Sequence, residues 1–369
     1  PVGTTTNTFV VTDGAGLQST CSFDVTINDT EAPIANCAAP FTIQLDATGN
    51  ASITVGDIDA GSTDACGIAT TTIDKSTFTC ADVGPNTITL TVTDVNGNVS
   101  TCTTVVTVED NVAPVANCAA PFTIQLDATG NASITVGDID AGSTDACGIA
   151  TTTIDKSTFT CADVGPNTIT LTVTDVNGNV STCTTVVTVE DNVAPIANCA
   201  APFTIQLDAT GNASITVGDI DAGSTDACGI ATTTIDKSTF TCADVGPNTI
   251  TLTVTDVNGN VSTCTTVVTV EDNVAPVANC AAPFTIQLDA TGNATITAAD
   301  IENGSTDNCG IATTTIDKST FTCADVGPNT ITLTITDLNG NVSTCTSTVT
   351  VTDPLSACNQ FPVAVCQPV

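Results

Sequence analysis

The stretch that decides the fold is GPNTITLTVTDVNGNVSTCTTVVTVEDNVAP, Gly84–Pro114. Ile88, Leu90 and Val92 alternate with threonines, Asp94-Val95-Asn96-Gly97-Asn98 breaks the alternation, and Cys102, Val106 and Val108 resume it. Apolar side chains at every second position turn one face of a strand inward, and Asn-Gly between two such runs signals a hairpin. The stretch therefore predicts an antiparallel pair that runs into an acidic linker, Glu109-Asp110-Asn111, closed by Pro114.

The same segment returns at 165–195, at 246–276 and, slightly varied, at 327–353, and a diverged form, TFVVTDGAGLQSTCSFDVTINDTEAP, occupies Thr8–Pro33. Cys37, Cys118, Cys199 and Cys280 keep the same period of 81 residues, the mark of a tandem array. Residues 33–113, 114–194, 195–275 and 276–353 read as four whole repeats, and 1–32 as the C-terminal part of a truncated one. Residues 354–369 read as a variant linker and the start of a further repeat, since VAVCQPV matches VANCAAP. A chain that starts and stops inside repeats reads as a window on a longer polypeptide, so a missing signal or anchor says nothing of the parent.

Outward from the hairpin, Phe41–Leu45, Ala51–Val55, Ile68–Ile73 and Ser76–Cys80 alternate as further short strands, with an acidic loop at 56–67. Short strands, turn signals at intervals of about 8–12 residues and no helical periodicity predict an all-β fold. The expectation is a tandem array of immunoglobulin-like β-sandwich domains, about 81 residues each, forming an extended rod.

Acidic side chains number 39 against 4 basic ones, for a net charge of −35. Nucleic acid and anionic membranes repel such a surface, no run is long enough to span a bilayer, and divalent cations are the natural counterions. Histidine is absent, as are Trp and Tyr. Without imidazole, and with Ser and Thr lacking an activating partner, catalysis has no foothold and the chain reads as no enzyme. Sugar stacking lacks its usual aromatic platforms.

Four cysteines per repeat, with no CxxC pair and no histidine, read as disulfides and place the chain outside the cytoplasm. Strand parity puts Cys37 on the face of Phe41, Ile43 and Leu45, and Cys102 on that of Val106 and Val108. Both point inward from the first and last strands, so Cys37–Cys102 is the expected clamp. That leaves Cys66–Cys80, a short loop whose closure contributes about 3 kcal/mol. By the period, the matching pairs are Cys118–Cys183 with Cys147–Cys161, Cys199–Cys264 with Cys228–Cys242, and Cys280–Cys345 with Cys309–Cys323. Cys21 becomes the last-strand cysteine of the truncated repeat, while Cys358 and Cys366 receive no assigned partner.

Two acidic clusters are candidate calcium sites. Asp57, Asp59 and Asp64 share a loop with Gly61 and Ser62, as do Asp138, Asp140 and Asp145, then Asp219, Asp221 and Asp226, and finally Asp300, Glu302 and Asp307. Calcium takes oxygens from carboxylates, carbonyls and water. The spacing opens like an EF-hand, but no glutamate stands at its twelfth position, so that motif is excluded. The competing reading is a solvated turn whose Asp side chains cap backbone amides. The second cluster is the linker, which resembles the acidic linkers that bind calcium between cadherin domains. Asp94 lies at the hairpin tip and Asp110 beyond its far end, about 30 Å apart for strands of about 9 residues. Asp94 is thus expected to meet only the preceding linker, with Asp29 and Glu31; the preferred reading of this junction is a plain, moderately stiff acidic linker, with interdomain calcium the alternative. Lys75, the one basic residue of its repeat, reads as a solvated turn residue beside Asp74.

TVTDVNGNVSTCTTVVTVED (Thr91–Asp110) together with PVANCAAPFTIQLD (Pro114–Asp127) resembles the hyalin-repeat family. With DIDAGSTDACGI and FTCADVGPNTITLTVTD, the unit looks like the version arrayed in large Bacteroidetes surface proteins, including SprB-type gliding-motility adhesins. The resemblance implies an immunoglobulin-like, adhesion-associated stalk on the bacterial cell surface, exported by type IX secretion. Its expected partners are other domains of the same long chain, with a cell-surface or substratum ligand engaged outside this stretch. In the alternative, the repeats themselves bind a ligand or associate laterally into a filament. The departure is at Asp353–Cys366, where the linker gains five residues and a cysteine.

Overall fold

A computed structural model describes residues 2–359 of the chain; Cys366 and most of the expected further repeat lie outside them. The described residues form two compact units, one of residues 2–127 and 131–190, the other of 128–130 and 191–359.

In the first unit, β1 (Gly3–Thr12) and β2 (Gln18–Ile27) make an antiparallel hairpin exposed along its whole length. The first repeat then follows as β3 (Phe41–Gln44), β4 (Asn50–Ser52), α1 (Val55–Ile58), β5 (Ile68–Ile73), β6 (Thr77–Thr79), β7 (Gly84–Asp94) and β8 (Val99–Glu109). The quoted stretch is the β7–β8 hairpin, in register from Gly84 opposite Val108 to Thr93 opposite Val99. Asp94 Oδ1 accepts from the backbone N–H of Asn96 and of Asn98, both at 2.8 Å, and Gly97 takes the left-handed φ of 93° that the turn requires.

Four strands form one sheet in the order β3-β8-β7-β5, and β4 and β6 pair as a separate ribbon. The edge strand β3 runs parallel to β8, Phe41 opposite Val106, a pairing that alternation alone does not reveal. Ile88, Leu90, Val92, Val106 and Val108 from the sheet meet Leu45, Ile53, Ile58 and Phe78, all buried. The alternating threonines of β7 stay at the surface or half-buried. Nine core side chains are few for a repeat of this length, so cross-links supply stability that the core lacks.

The start of the acidic loop, expected to be irregular, is one turn of helix. Asp57 Oδ2 accepts from Thr54 N at 2.6 Å and from Thr54 Oγ1 at 2.7 Å, a local cap that lets Ile58 bury completely. Lys75 also departs from its expected solvated turn. Its Nζ lies 2.5 Å from Asp82 Oδ1 and 5.0 Å from the centre of the Phe78 ring, because the apolar stem follows the core edge while the ammonium finds a carboxylate.

Disulfides join Cys37 to Cys102 and Cys118 to Cys183. The expected Cys66–Cys80 and Cys147–Cys161 pairs do not form. Cys80 is instead bonded to Cys147 of the next repeat, with Cα atoms 5.1 Å apart. The reason is the path of β7. Gly67 O accepts from Val95 N beyond one end of β7, and Cys80 sits just before its other end. Eleven residues of strand separate the two by about 35 Å, far outside bonding range. Cys66 and Cys21 are exposed free thiols.

The second unit carries the same elements twice. Its four-stranded sheets order as Phe203–Gln206, Val261–Glu271, Gly246–Asp256, Ile230–Ile235 and as Phe284–Gln287, Val342–Thr352, Gly327–Asp337, Ile311–Ile316. Disulfides join Cys199 to Cys264 and Cys280 to Cys345. The expected Cys228–Cys242 and Cys309–Cys323 pairs are again replaced, since Cys242 bonds Cys309 and Cys323 bonds Cys358. Cys161 and Cys228 are disulfide-bonded as well. The inserted turn explains Cys358: Asp353 accepts from the backbone N–H of Ala357 and of Cys358, and the sulfur packs against the last core.

Candidate functional site at the repeat junctions

The structure does not gather the three carboxylates of each acidic loop. Asp57 is occupied by Thr54, whose hydroxyl and N–H hold its carboxyl below the ordinary range. Asp59 Oδ1 accepts from Ser62 Oγ and Ser62 N, both at 2.8 Å, and is lowered by the same contacts. Asp64 Oδ2 accepts from Cys66 N at 2.7 Å and Gly67 N at 2.8 Å. Asp138 and Asp140, Asp219 and Asp221, and Asp300 and Glu302 repeat the first two roles. Each side chain closes its own turn, which is how Asp competes with regular backbone pairing.

The hairpin tip reaches the linker that enters its own repeat, as the strand geometry requires. Asn98 Nδ2 donates to Asp29 O at 3.3 Å. Asn179 Nδ2 donates to Asp110 O at 3.0 Å, and Ser181 Oγ donates to Pro114 O at 2.6 Å. In the second unit Asn260 and Asn341 grip Asp191 O and Asp272 O at 3.0 and 2.9 Å.

This grip draws the third loop carboxylate into a new group. Asp110 from the linker, Asp145 from the loop and Asp175 from the hairpin tip each bring an oxygen within 4.8 Å of the others. Asp272, Asp307 and Asp337 do the same. Asp29 and Asp64 group with Cys66, and Asp191 and Asp226 with Cys228. Burial works against the charge of Asp175, but the side chain and backbone of Asn179 outweigh it and keep that carboxyl low. Asp145 moves the other way: burial first, then the charges of Asp110 and Asp175, push it up. Asp110 is only 6% exposed; its Oδ1 accepts from Val112 N, while Oδ2 finds no donor among the described residues. Asp110, and Asp175 as the counterpart of Asp94 one period on, are legible as junction residues from the hairpin; Asp145 is not, because its neighbours in sequence belong to the acidic loop.

No family model matches the chain. It is 28% identical over 383 residues to a hyalin of Strongylocentrotus purpuratus, an alignment covering 95% of this chain and 30% of that protein. Structural likenesses include the Sidekick-1 immunoglobulin domains 1–5 (9% identity, 95% of this chain and 96% of that one, TM-score 0.31). Others are the titin I-band fragment I67–I69 (12%, 66% and 97%, TM-score 0.32) and protocadherin gamma B2 cadherin domains 1–5 (13%, 95% and 86%, TM-score 0.30). At these scores the fold rests on the strands and cores themselves.

Proposed function

We propose that this stretch is a passive, tension-bearing spacer in an extracellular adhesion protein. It would be built of immunoglobulin-like repeats at 33–113, 114–194, 195–275 and 276–353, with a distal region making the adhesive contact. The observation that carries this reading is the Cys37–Cys102 disulfide, which bridges 65 residues. Force entering near the start of a repeat passes through sulfur to its last strand and bypasses the core. The similarity to a hyalin supports an adhesion role outside the cell, and the motif resemblance supports a Bacteroidetes surface adhesin of the gliding-motility kind. The role is structural rather than enzymatic. Calcium is the cofactor class that the acidic junctions suit.

Single-molecule pulling tests the spacer. The reduced chain should lengthen in steps that include the released loop, roughly 230 Å of extended backbone per repeat, and the oxidised chain should not. Equal steps in both states would overturn the reading.

A second reading, lateral association, is favoured by one observation. Ile34, Val115, Ile196 and Val277 occupy the same place in each repeat and are 70, 66, 69 and 65% exposed. Concentration-dependent sedimentation that vanishes when the four become Ser would support it.

A further inference from the structure

We propose that Asp110, Asp145 and Asp175, and likewise Asp272, Asp307 and Asp337, each bind one calcium ion between a linker and the repeat that follows it. The proposal deepens the calcium reading above by naming its site, and it does not depend on the spacer role.

The first observation is convergence: three carboxylates from three separate elements bring oxygens within 4.8 Å of one another. Clustering alone is common on acidic surfaces. The second observation is independent of it. Asp110 Oδ2 is buried with no donor, in a residue that is 94% shielded, and Asp272 Oδ2 repeats this at 4% exposure. At the second site Asp307 Oδ1 and Asn308 Oδ1 are also buried without donors. A buried carboxylate oxygen without a partner is strongly disfavoured unless a cation or donor meets it.

No described residue donates to it. The chain's four basic side chains are Lys75, Lys156, Lys237 and Lys318, and each is already paired with Asp82, Asp163, Asp244 or Asp325. The neutralising charge therefore comes from outside. The donors are all oxygens and the chain has no histidine, which selects a hard cation over zinc or copper. Irregular placement on a linker, a loop and a hairpin tip suits the adaptable coordination of calcium better than the strict octahedron of magnesium.

The two sites differ in the residue that follows the loop carboxylate, Ala146 in one and Asn308 in the other. The loop reads Thr-Asp-Ala-Cys in the first three repeats and Thr-Asp-Asn-Cys in the fourth. Asn308 Nδ2 donates to Asp272 Oδ1 at 3.2 Å and to Asp208 O at 3.1 Å, while its carbonyl oxygen is spare. The site at Asp272 thus has one more neutral oxygen and binds more tightly. Asp191 Oδ2 is orphaned too, but its group closes on the disulfide-bonded Cys228, so that junction stays outside the proposal.

The test is radioactive-calcium dialysis of the full oxidised chain in about 0.15 M KCl, which screens the diffuse counterion atmosphere. The expected result is at least two ions per chain. Asp110→Asn and Asp272→Asn should each remove one ion, and the double variant two. Asp13→Asn with Asp24→Asn, which removes the same charge from the exposed first hairpin, should remove none. Asn308→Ala, which installs the residue of the other repeats, should weaken one site several-fold and leave the ion count unchanged. Absence of bound calcium at millimolar free ion, or equal loss in the Asp13/Asp24 control, would overturn the proposal. Should pulling refute the spacer, the ion count would still stand or fall by itself.

Discussion

Cys80 and Cys147 belong to consecutive repeats, yet their Cα atoms lie 5.1 Å apart and their sulfurs are bonded. The sulfur of Cys147 also packs against the core of the repeat before its own. The link closes 67 residues of chain, a loop for which cross-linking typically contributes about 2–4 kcal/mol. Cys147→Ser should therefore lower stability by about that amount and release one extra free thiol. It should leave Cys37–Cys102 intact and expose the linker around Val112 to protease. Thiol counting and denaturant titration check it; an unchanged thiol count would mean that Cys80 has found another partner.

Gly49 is shaped by that link. Its φ is +75°, and a Cβ there would meet Cys80 Sγ at 2.7 Å and Ala146 Cβ at 3.3 Å. Gly61 also has a left-handed φ, of +93°, but open space around it. Gly49→Ala should cost about 1–3 kcal/mol more than Gly61→Ala, because it adds a steric clash to the shared backbone strain. Urea midpoints of the two variants give the comparison, and equal shifts would remove the steric argument.

Phe78 fills the core of the first repeat at 1% exposure, and its ring carries Lys75. Phe78→Ala should destabilise that repeat by about 3–5 kcal/mol. Hydrogen exchange should show the loss within β7 and β8, with the second repeat largely protected.

Acidity has two opposed consequences. Asp57, Asp59 and Asp175 are held low in the folded chain by their donors. Their contribution is complete above the unfolded value of about 3.9 and is lost as pH falls through the lower folded values. Asp145 is raised, so without a cation it works against the fold once pH climbs above its folded value. Chelated protein should thus gain slightly in stability from neutral pH down to about pH 4, as Asp145 takes its proton, and lose stability below. Added calcium should stabilise at neutral pH, and that gain should fade as Asp145 takes its proton. Urea midpoints across pH, in calcium and in EDTA, test both signs; a calcium gain that grows on acidification would contradict the second.

Cys66 is an exposed thiol that donates to the Asp29 carboxylate. That hydrogen bond first, then burial and nearby negative charge, push its pKa up. Alkylation at neutral pH should be slow, since the thiolate is the reactive form. Asp29→Asn should speed it several-fold, as mass-spectrometric time courses would show.

What the sequence disclosed follows from periodicity. Alternation in Ile88–Val92 located the sheet, and parity placed Cys37 and Cys102 on one core. The hairpin length showed that Asp94 faces the preceding linker. What stayed hidden is what periodicity erases. In near-identical repeats Cys80 sees two equivalent candidates, Cys66 and Cys147, and only the path along β7 separates them. The four-residue helix at Val55–Ile58 is too short to show a period. Asp64 and Asp145 looked like loop ligands because their neighbours in sequence are acidic, whereas their neighbours in space come from a linker and a hairpin tip.

The pairing of Cys80 with Cys147 also sets an order of maturation. A repeat can oxidise Cys37 to Cys102 as soon as its own strands are made, but Cys80 has no native partner until 67 more residues have emerged. The first repeat therefore waits with Cys80 unpaired until its neighbour arrives, and that arrival both quenches the sulfur and seals the boundary; Cys242 waits in the same way for Cys309. Biogenesis would run as a zipper with a fixed direction, and Cys358, only 35 residues beyond Cys323, closes its last tooth without waiting for another repeat.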